Sequence, residues 1–470
     1  RSFFSLFPKD DLEKIMLRYA DLLPGSLINF IDDLIFLGVL KFSPDGISIQ
    51  ADEEVDKILS GSQSEIFRLR IASLSEEERN FAQILSSFEM NLDEQSMQAL
   101  TGMSEMEVKK ILTRLFYQNI IQNYQTINYI AFTSPGIKKF VYEIIQDKKT
   151  FHGEIGNKIR ERLPDFNKLE TARHFEIVGN IALVFSLYKE EIEHAEIISA
   201  FSYQVTLLNK LSELQLSKEQ QFYVYSLLAE RNYLLLNYTA ALDSIEKLEN
   251  DISEKAKFFH LWLMKAKSLT ETNKARQGKD VLLSMLAIIN DEQERQKLNV
   301  ELANAEYELN NYESSLEICQ EIIQNPSASN ENKGKAHNLI ALIHINFKNN
   351  FQEAMNQFLS AAKYFNKSKI VSRLANTLNN IGNLHNITGN TTEAESAWNE
   401  ALKINSSIGS LVQEANQMLN YGVYYHDKFD HQNALEKFER ARKIFLSLGD
   451  TIGEAVARLN LSELFIDLNE

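Results

Sequence analysis

A single helix-like pattern recurs four times towards the end of this chain. The copies begin at Leu339, Asn380, Asn420 and Asn460, and they read LIALIHINFKNNFQEAMNQF, NIGNLHNITGNTTEAESAW, NYGVYYHDKFDHQNALEKF and NLSELF. A helical hairpin that recurs at a near-constant interval cannot bury its apolar stripe alone, so its copies must stack into a solenoid. Because a curved stack has an inner face that can hold another molecule, the pattern favours recognition over catalysis.

The repeat interval can be measured between small residues that let two helices approach closely. These residues are 37, 37, 38, 41, 40 and 40 positions apart: Ala229, Ala266, Ala303, Ala341, Gly382, Gly422 and Ser462. In most units a second small residue follows, and a bulky residue such as Phe358, Trp398 or Phe438 comes four positions after it. This offset predicts antiparallel helix pairs with an aromatic ring behind each crossing. The pattern resembles tetratricopeptide repeats in a form longer than the usual unit of about 34 residues. It predicts an all-α solenoid of about seven repeats from Asn167 onwards.

The composition fits a mostly helical, cytoplasmic protein. Six prolines and 17 glycines are few for a β-rich chain with many tight turns, and a single cysteine, Cys319, favours a reducing compartment. Cys319 occupies the position of the packing aromatic, so we expect a buried thiol. No apolar run is long enough to predict a membrane span. The chain begins with Arg1 and helix-like sequence, so we expect no signal peptide and a piece of a longer protein.

The first third of the sequence differs from the repeats. A helical stretch from Asp10 precedes KFSPDGISIQ, which predicts two short extended segments around a turn. Three helices follow, and capping boxes at Ser75 and Ser104, each with a glutamate three positions later, predict where the first and third begin. Gly102 ends the second helix.

Two β-rich segments, Ile120–Tyr124 and Asn128–Phe132, come after the third helix. Three helices and a hairpin in this order predict a winged helix. Its third helix would be the one to enter a DNA major groove. However, Lys109, Lys110 and Arg114 stand beside Glu105 and Glu107 in a chain of net charge −16, so a packing module is favoured over DNA readout.

From about Leu12 to Asn180 the order of segments resembles the junction region of signal-transduction ATPases with numerous domains, the STAND class. The segments that carry the resemblance are LPGSLINFIDDLIFLGVLK, FTSPGIKKFVYEII, FHGEIG and ETARHFEIVGN. The resemblance implies an ATPase-lid remnant in residues 1–70, a winged helix in 71–150, a connecting helix in 151–166 and the repeat solenoid in 167–470. Pro24-Gly25-Ser26 replaces the family's Asn-Pro pair and Ser134 replaces its histidine, which leaves the contacts of those positions open.

No Gly-x-x-x-x-Gly-Lys-[Ser/Thr] loop occurs in the sequence. The resemblance therefore implies the regulatory arm of a larger ATPase whose core lies upstream. No catalytic residues, metal site or cofactor are predicted. His344 and His385 take equivalent places in successive repeats, but aromatic residues replace them in later repeats, so ring packing is favoured over metal binding. His426 and His431, five positions apart, are poorly spaced to share one helical face.

Asparagine is the most informative polar residue of the repeats. Asn380, Asn420 and Asn460 recur at intervals of 40, Asn376 and Asn416 lie one helical turn earlier, and Asn383 extends the polar face. Asparagine is a poor helix former, so its repetition on first helices calls for an explanation. An amide both donates and accepts hydrogen bonds, so a row of amides could bind a peptide backbone, as in the asparagine clamp of cargo-binding tetratricopeptide proteins. Two alternatives remain open: the amides hold neighbouring helices in register, or they reflect compositional bias.

The favoured function is a non-catalytic sensor arm of a signalling ATPase that binds a protein, peptide or small ligand in the solenoid groove. A stand-alone interaction scaffold without a switch is the alternative, and a DNA-binding regulator is a third hypothesis. A nucleic-acid or membrane partner is not expected.

Overall fold

The computed structural model describes residues 34–36, 38, 40–43, 46–49, 63–122, 129–197, 200–249, 251–448 and 450–468. The chain divides into two compact units, Arg1–Gln221 and Phe222–Glu470. Most of the predicted lid segment LPGSLINFIDDLIFLGVLK lies outside the described residues.

A short hairpin lies near the start of the described part of the first unit. Strands β1 (Leu40–Ser43) and β2 (Gly46–Ile49) pair antiparallel, with Leu40 opposite Ile49 and Ser43 opposite Gly46. The two extended segments expected in KFSPDGISIQ are therefore confirmed. Apart from this hairpin and isolated bridges, the elements in the described ranges are helices, which confirms the all-α fold class.

Nine helices follow in the described part of the first unit: α1 (Gln63–Ala72), α2 (Glu76–Ser86), α3 (Glu94–Thr101), α4 (Glu105–Tyr117), α5 (Pro135–Glu143), α6 (Lys148–Arg162), α7 (Lys168–Val178), α8 (Ile181–Ile197) and α9 (Phe201–Ser212). Both predicted capping boxes are present, because the Ser75 and Ser104 hydroxyls accept from the N–H groups of Glu78 and Glu107. Gly102 ends α3 with a φ of 77°, a left-handed conformation that glycine adopts without steric cost.

Helices α2, α3 and α4 surround one apolar core that includes Phe81, Met97 and Leu112, each with 0% of its surface exposed. Two isolated β-bridges border this core. One joins Ile121 to Phe132, and the other joins Leu92, between α2 and α3, to Ile130. Residues 123–128 of the expected hairpin lie outside the described residues.

Thirteen further helices are described, of which α10 spans the boundary between the units and the rest lie in the second unit. They are α10 (Lys218–Leu234), α11 (Tyr238–Glu246), α12 (Phe259–Glu271), α13 (Ala275–Leu286), α14 (Glu292–Glu308), α15 (Tyr312–Gln324), α16 (Asn330–Asn346), α17 (Phe351–Ser368), α18 (Val371–Ile387), α19 (Thr391–Ser407), α20 (Leu411–Asp427), α21 (His431–Leu448) and α22 (Thr451–Asp467). The even-numbered members of this series are the first helices of hairpins and the odd-numbered members are the second helices. First helices also contact one another, as α18 and α20 do.

Glycine at two helix crossings lets aromatic rings pack directly on backbone. A Cβ added at Gly382 would lie 2.4 Å from the indole of Trp398, and one added at Gly422 would lie 2.3 Å from the ring of Phe438. Both rings are buried. The repeat spacing predicts that bulky residues pack against small residues at the helix crossings, and these two contacts confirm it. Cys319 is also fully buried, as expected.

Candidate ligand-binding face of the first helices

The six asparagines predicted to bind a ligand lie on three first helices. Asn376, Asn380 and Asn383 are in α18, Asn416 and Asn420 are in α20, and Asn460 is in α22. Together they form the amide face. Asn416 is exposed and the other five are partly buried. Each therefore retains contact with solvent, which a residue that receives a ligand requires.

Asn420 has a partner within the protein. Its Nδ2 donates to Oδ1 of Asn379 in α18 over 3.0 Å. The bond joins the first helices of two successive repeats, which is the contact that the register hypothesis requires. The sequence pattern did not identify Asn379, because it lies 41 rather than 40 positions before Asn420 and so falls outside the asparagine series.

Asn383 also has an intramolecular role. Its Oδ1 accepts a hydrogen bond of 3.0 Å from the indole Nε1 of Trp398, the ring that packs on Gly382. The rings of Tyr421 and Tyr424 lie 5.2 and 5.5 Å from that of Trp398, both edge-on. Because a buried indole N–H needs an acceptor, Asn383 contributes to packing of the α18–α19 hairpin.

The remaining members of the amide face are available to a ligand. Across the described helices α10–α22, the side-chain amides of Asn376, Asn380, Asn416 and Asn460 make no hydrogen bond. Asn376 and Asn380 are one helical turn apart and so lie on one side of α18. Each amide offers donors and an acceptor that a peptide backbone can match.

Other polar contacts join first helices near their C-terminal ends. Nδ2 of Asn346 donates to the hydroxyl of Tyr307 over 2.6 Å, which connects α16 to α14. Nε2 of His426 lies 2.9 Å from Oδ2 of Asp467, which connects α20 to α22. Register between repeats is therefore held by several kinds of side chain and not by asparagine alone.

Charged residues are more frequent on the first helices upstream of the amide face. Lys267 in α12 pairs with Glu301 in α14 over 3.3 Å. Partial burial, followed by the like charges of Glu308 and Glu301, raises the pKa of Glu271. Close to these helices is a cleft of about 570 Å³, lined by aromatic and charged residues that include Phe222, Tyr223, Glu230, Phe258, His260 and Glu294.

Histidine, cysteine and acidic side chains are not clustered as metal ligands in the part of the chain that is described. No group of three or more histidine, cysteine, aspartate or glutamate side chains there is placed to hold a metal ion. Burial raises the pKa of the Cys319 thiol to about 12, so it is not a ready nucleophile. His426 and His431 do not share one helical face, because they lie on successive helices, and the turn between α20 and α21 brings their ring centroids to 6.0 Å.

None of the described helices has both the length and the apolarity needed to cross a bilayer.

A comparison with protein families agrees with the repeat assignment. Residues 373–447 match the tetratricopeptide repeat family model. No curated protein matches the chain in sequence. Among solved structures, the chain is similar to a STAND protein with a tetratricopeptide repeat sensor from Pyrococcus horikoshii, at 16% identity and a TM-score of 0.39, over 98% of this chain and 72% of that one.

Two further structures are similar over a smaller part of this chain. A Rap protein complexed with competence and sporulation factor has 12% identity and a TM-score of 0.43, over 70% of this chain and 96% of its own. The apo quorum sensor NprR from B. thuringiensis has 12% identity and a TM-score of 0.41, over 69% and 99%. The chain has the fold of a tetratricopeptide-like helical solenoid.

Proposed function

We propose that this chain is the non-catalytic, cytoplasmic sensor arm of a larger signalling ATPase and that its amide face binds a protein or peptide ligand. The observation that carries the proposal is the set of amides without hydrogen bonds at Asn376, Asn380 and Asn416. Asn376 and Asn416 lie one repeat apart on neighbouring first helices, and Asn380 lies one helical turn after Asn376. Each amide has unused capacity to donate and accept hydrogen bonds. Helical-repeat folds of this type typically bind partners and do not catalyse reactions.

An extended segment suits this face best. Successive first helices present amides at a regular spacing, and a peptide backbone presents alternating N–H and C=O groups that both donors and acceptors can bind. Recognition of the backbone gives affinity with little dependence on ligand sequence. Specificity would then come from side chains that reach the charged residues of α12 and α14, such as Lys267 and Glu301.

The order of elements supports a winged helix in residues 71–150 of the proposed arm. Helices α2, α3 and α4 are followed by a segment that bridges back to Leu92 through Ile130. A strand residue between the first two helices that pairs with the segment after the third is the expected topology of a winged helix. We extend the proposal to an ATPase-lid remnant in 1–70, a connecting helix in 151–166 and repeats in 167–470.

A sensor needs two arrangements of the arm and the ATPase. A ligand shifts the balance between them only by binding one arrangement more tightly. The neighbouring sequence separates this proposal from a scaffold without a switch. The proposal requires a phosphate-binding loop within a few hundred residues upstream of Arg1, and a parent chain without one would support the scaffold.

Ligand binding can be tested with a phage-displayed library of 12-residue peptides panned on the full chain. We expect enriched peptides whose affinity falls about 10-fold or more in the double variant Asn376→Ala with Asn380→Ala, equivalent to about 1.4 kcal/mol. Asn366→Ala is the matched control, since Asn366 is an exposed asparagine on the second helix α17. Failure to enrich any peptide, or equal affinity for the double variant and the wild type, would refute binding at the amide face.

DNA binding through the winged helix is disfavoured by the surface of α4. Met106 and Tyr117 are 80% and 77% exposed on this helix, and Lys109 is paired with Glu105. Exposed apolar side chains, and a lysine that is already paired with a carboxylate, give little attraction for phosphates. Binding to a labelled random duplex at low salt tests this, and micromolar affinity there would restore the DNA hypothesis.

A further inference from the structure

Two histidines of the first unit are buried in direct contact with each other. His152 in α6 and His174 in α7 are both 0% exposed, and their Nδ1 atoms are 2.8 Å apart. The other ring nitrogen of His152, Nε2, lies 2.9 Å from the hydroxyl of Tyr142 in α5. The two histidines come from the segments FHGEIG and ETARHFEIVGN, which are separate in the sequence.

Helix α7 also holds the segment that leaves α2. Oε1 of Glu170 accepts from the backbone N–H of Glu89 over 3.0 Å, and Nη2 of Arg173 donates to the same oxygen over 2.6 Å. Arg173 also donates to the backbone carbonyl of Ser87. The ring of Phe88 packs against that of His174, with centroids 4.7 Å apart. Residues 87–89 are therefore fixed to α7 at the histidine pair.

The short Nδ1–Nδ1 contact restricts protonation of the pair. A hydrogen bond between two ring nitrogens needs one N–H and one lone pair, so both Nδ1 atoms cannot carry protons while the contact persists. If the Tyr142 hydroxyl donates to His152, then His152 carries its proton on Nδ1 and His174 carries its proton on Nε2. This tautomer places the buried Nε2–H of His174 4.0 Å from the Glu170 carboxylate, which attracts it. The opposite tautomer would place a nitrogen lone pair there instead.

The surroundings keep the pair neutral. Burial, then the charges of Arg173 and Lys148, lowers the pKa of His152 to about 4. Burial, then His152 and Arg173, lowers the pKa of His174 to about 2. The charged and titratable groups around the pair are Lys138 and Tyr142 on α5, Lys148 on α6, Glu170 and Arg173 on α7, and Glu89 after α2.

We propose that His152 and His174 form a proton-sensitive latch that fastens residues 87–89 to α7 while the pair is neutral and releases them when the pair takes up protons. In the open state both imidazoles reach water and regain an ordinary pKa of about 6.5. Because the closed state holds these lowered pKa values, closure is fully stabilised above pH 6.5 and loses stability as the pH falls towards 4. For two histidines, the open population at pH 5.5 is about 100-fold that at pH 7.5.

Hydrogen exchange of the full chain tests the latch. The observable is the protection factor of the Glu89 backbone amide, the N–H that is bonded to Glu170 of α7, with the observed rate divided by the intrinsic rate at the same pH. We expect protection to fall about 100-fold between pH 7.5 and pH 5.5. Amides of α4, which does not contact the pair, should show a much smaller change. Equal protection of the Glu89 amide at the two pH values would overturn the proposal.

Two variants separate protonation from other effects of pH. In the double variant His152→Asn with His174→Asn, each amide can take the place of Nδ1 without titrating, so the pH dependence should disappear. His194→Gln is the control, since His194 is an exposed histidine of α8, and it should keep the full 100-fold change. Retention of the pH dependence in the double asparagine variant would contradict the latch.

A third measurement does not depend on the folding of a variant. Exchange of the imidazole Cε1 proton, followed by mass spectrometry, reports the pKa of individual histidines in the wild-type chain. His152 and His174 should remain neutral throughout the pH range 5.5–7.5. A pKa of either buried histidine near 6.5 would remove the basis of the latch.

Discussion

The side-chain amide of Asn420 donates a hydrogen bond of 3.0 Å to the side-chain carbonyl of Asn379, and this bond connects helices α20 and α18. The amide face therefore contains two kinds of asparagine. Asn420 and Asn383 are bonded within the protein, whereas Asn376, Asn380 and Asn416 are not, in the ranges that the structure describes. The first kind should govern stability and the second ligand affinity.

Asn420→Ala should destabilise the stack of repeats. The change removes the bond to Asn379 and leaves a partly buried amide oxygen without its donor, at a cost of about 1 kcal/mol. We expect the thermal midpoint to fall by about 2–4 °C, measured by circular dichroism. Asn416→Ala, on the same helix at an exposed position, should leave the midpoint unchanged. Equal midpoints for the two variants would show that the Asn379–Asn420 bond contributes nothing to register.

Gly422→Ala should be strongly destabilising because of its contact with Phe438. The new methyl group would start 2.3 Å from the ring, so the helices would have to separate, at a cost of about 1–3 kcal/mol. Gly153→Ala is the matched control in helix α6, where the nearest atom to an added Cβ is 3.6 Å away. Chemical denaturation should show a loss of stability only for Gly422→Ala. A tolerated methyl group at position 422 would mean that the crossing is looser than described.

The Asn383–Trp398 bond can be measured with a double-mutant cycle. Asn383→Ala leaves the indole N–H of Trp398 without an acceptor, and this should cost about 1–2 kcal/mol. In a Trp398→Phe background the same change should cost about 1 kcal/mol less, because the donor is already absent. The free energy of unfolding in urea measures each corner of the cycle. Identical costs in the two backgrounds would indicate that Asn383 does not interact with Trp398 in solution.

The Cys319 thiol should be unreactive in the folded protein. Its burial excludes reagent, and its raised pKa leaves almost no thiolate at pH 8, so reaction with a disulfide reagent should be about 1,000-fold slower than in the denatured chain. Absorbance of the released chromophore follows the reaction. Rapid labelling under native conditions would place Cys319 at an accessible site.

The repeat architecture could be predicted because local spacing determines it. Small residues at 37 to 41-residue intervals locate the helix crossings, and the serine–glutamate capping boxes locate the starts of α2 and α4. Side-chain pairing between repeats could not be predicted in the same way. Asn420 pairs with Asn379, 41 positions earlier, and not with Asn380, and a fixed period of 40 does not indicate that partner.

Contacts between segments that are distant in the sequence also could not be predicted from the sequence pattern. His152 and His174 belong to two separate sequence motifs, and nothing in their spacing indicates that α6 and α7 bring their Nδ1 atoms to 2.8 Å. The spacing of His426 and His431 indicates that they do not share a helical face, but it does not indicate that a turn brings their ring centroids to 6.0 Å. The predicted domain boundaries and the lid segment remain predictions.

The affinity of one library-selected peptide for three variants tests the central claim most directly. Isothermal titration should show a loss of about 10-fold or more for Asn376→Ala with Asn380→Ala at an unchanged thermal midpoint, and wild-type affinity for Asn366→Ala. Asn420→Ala should lower the midpoint. If the Asn376/Asn380 double variant binds as tightly as the wild type but melts several degrees lower, these amides hold the repeats in register and the ligand-binding account is wrong.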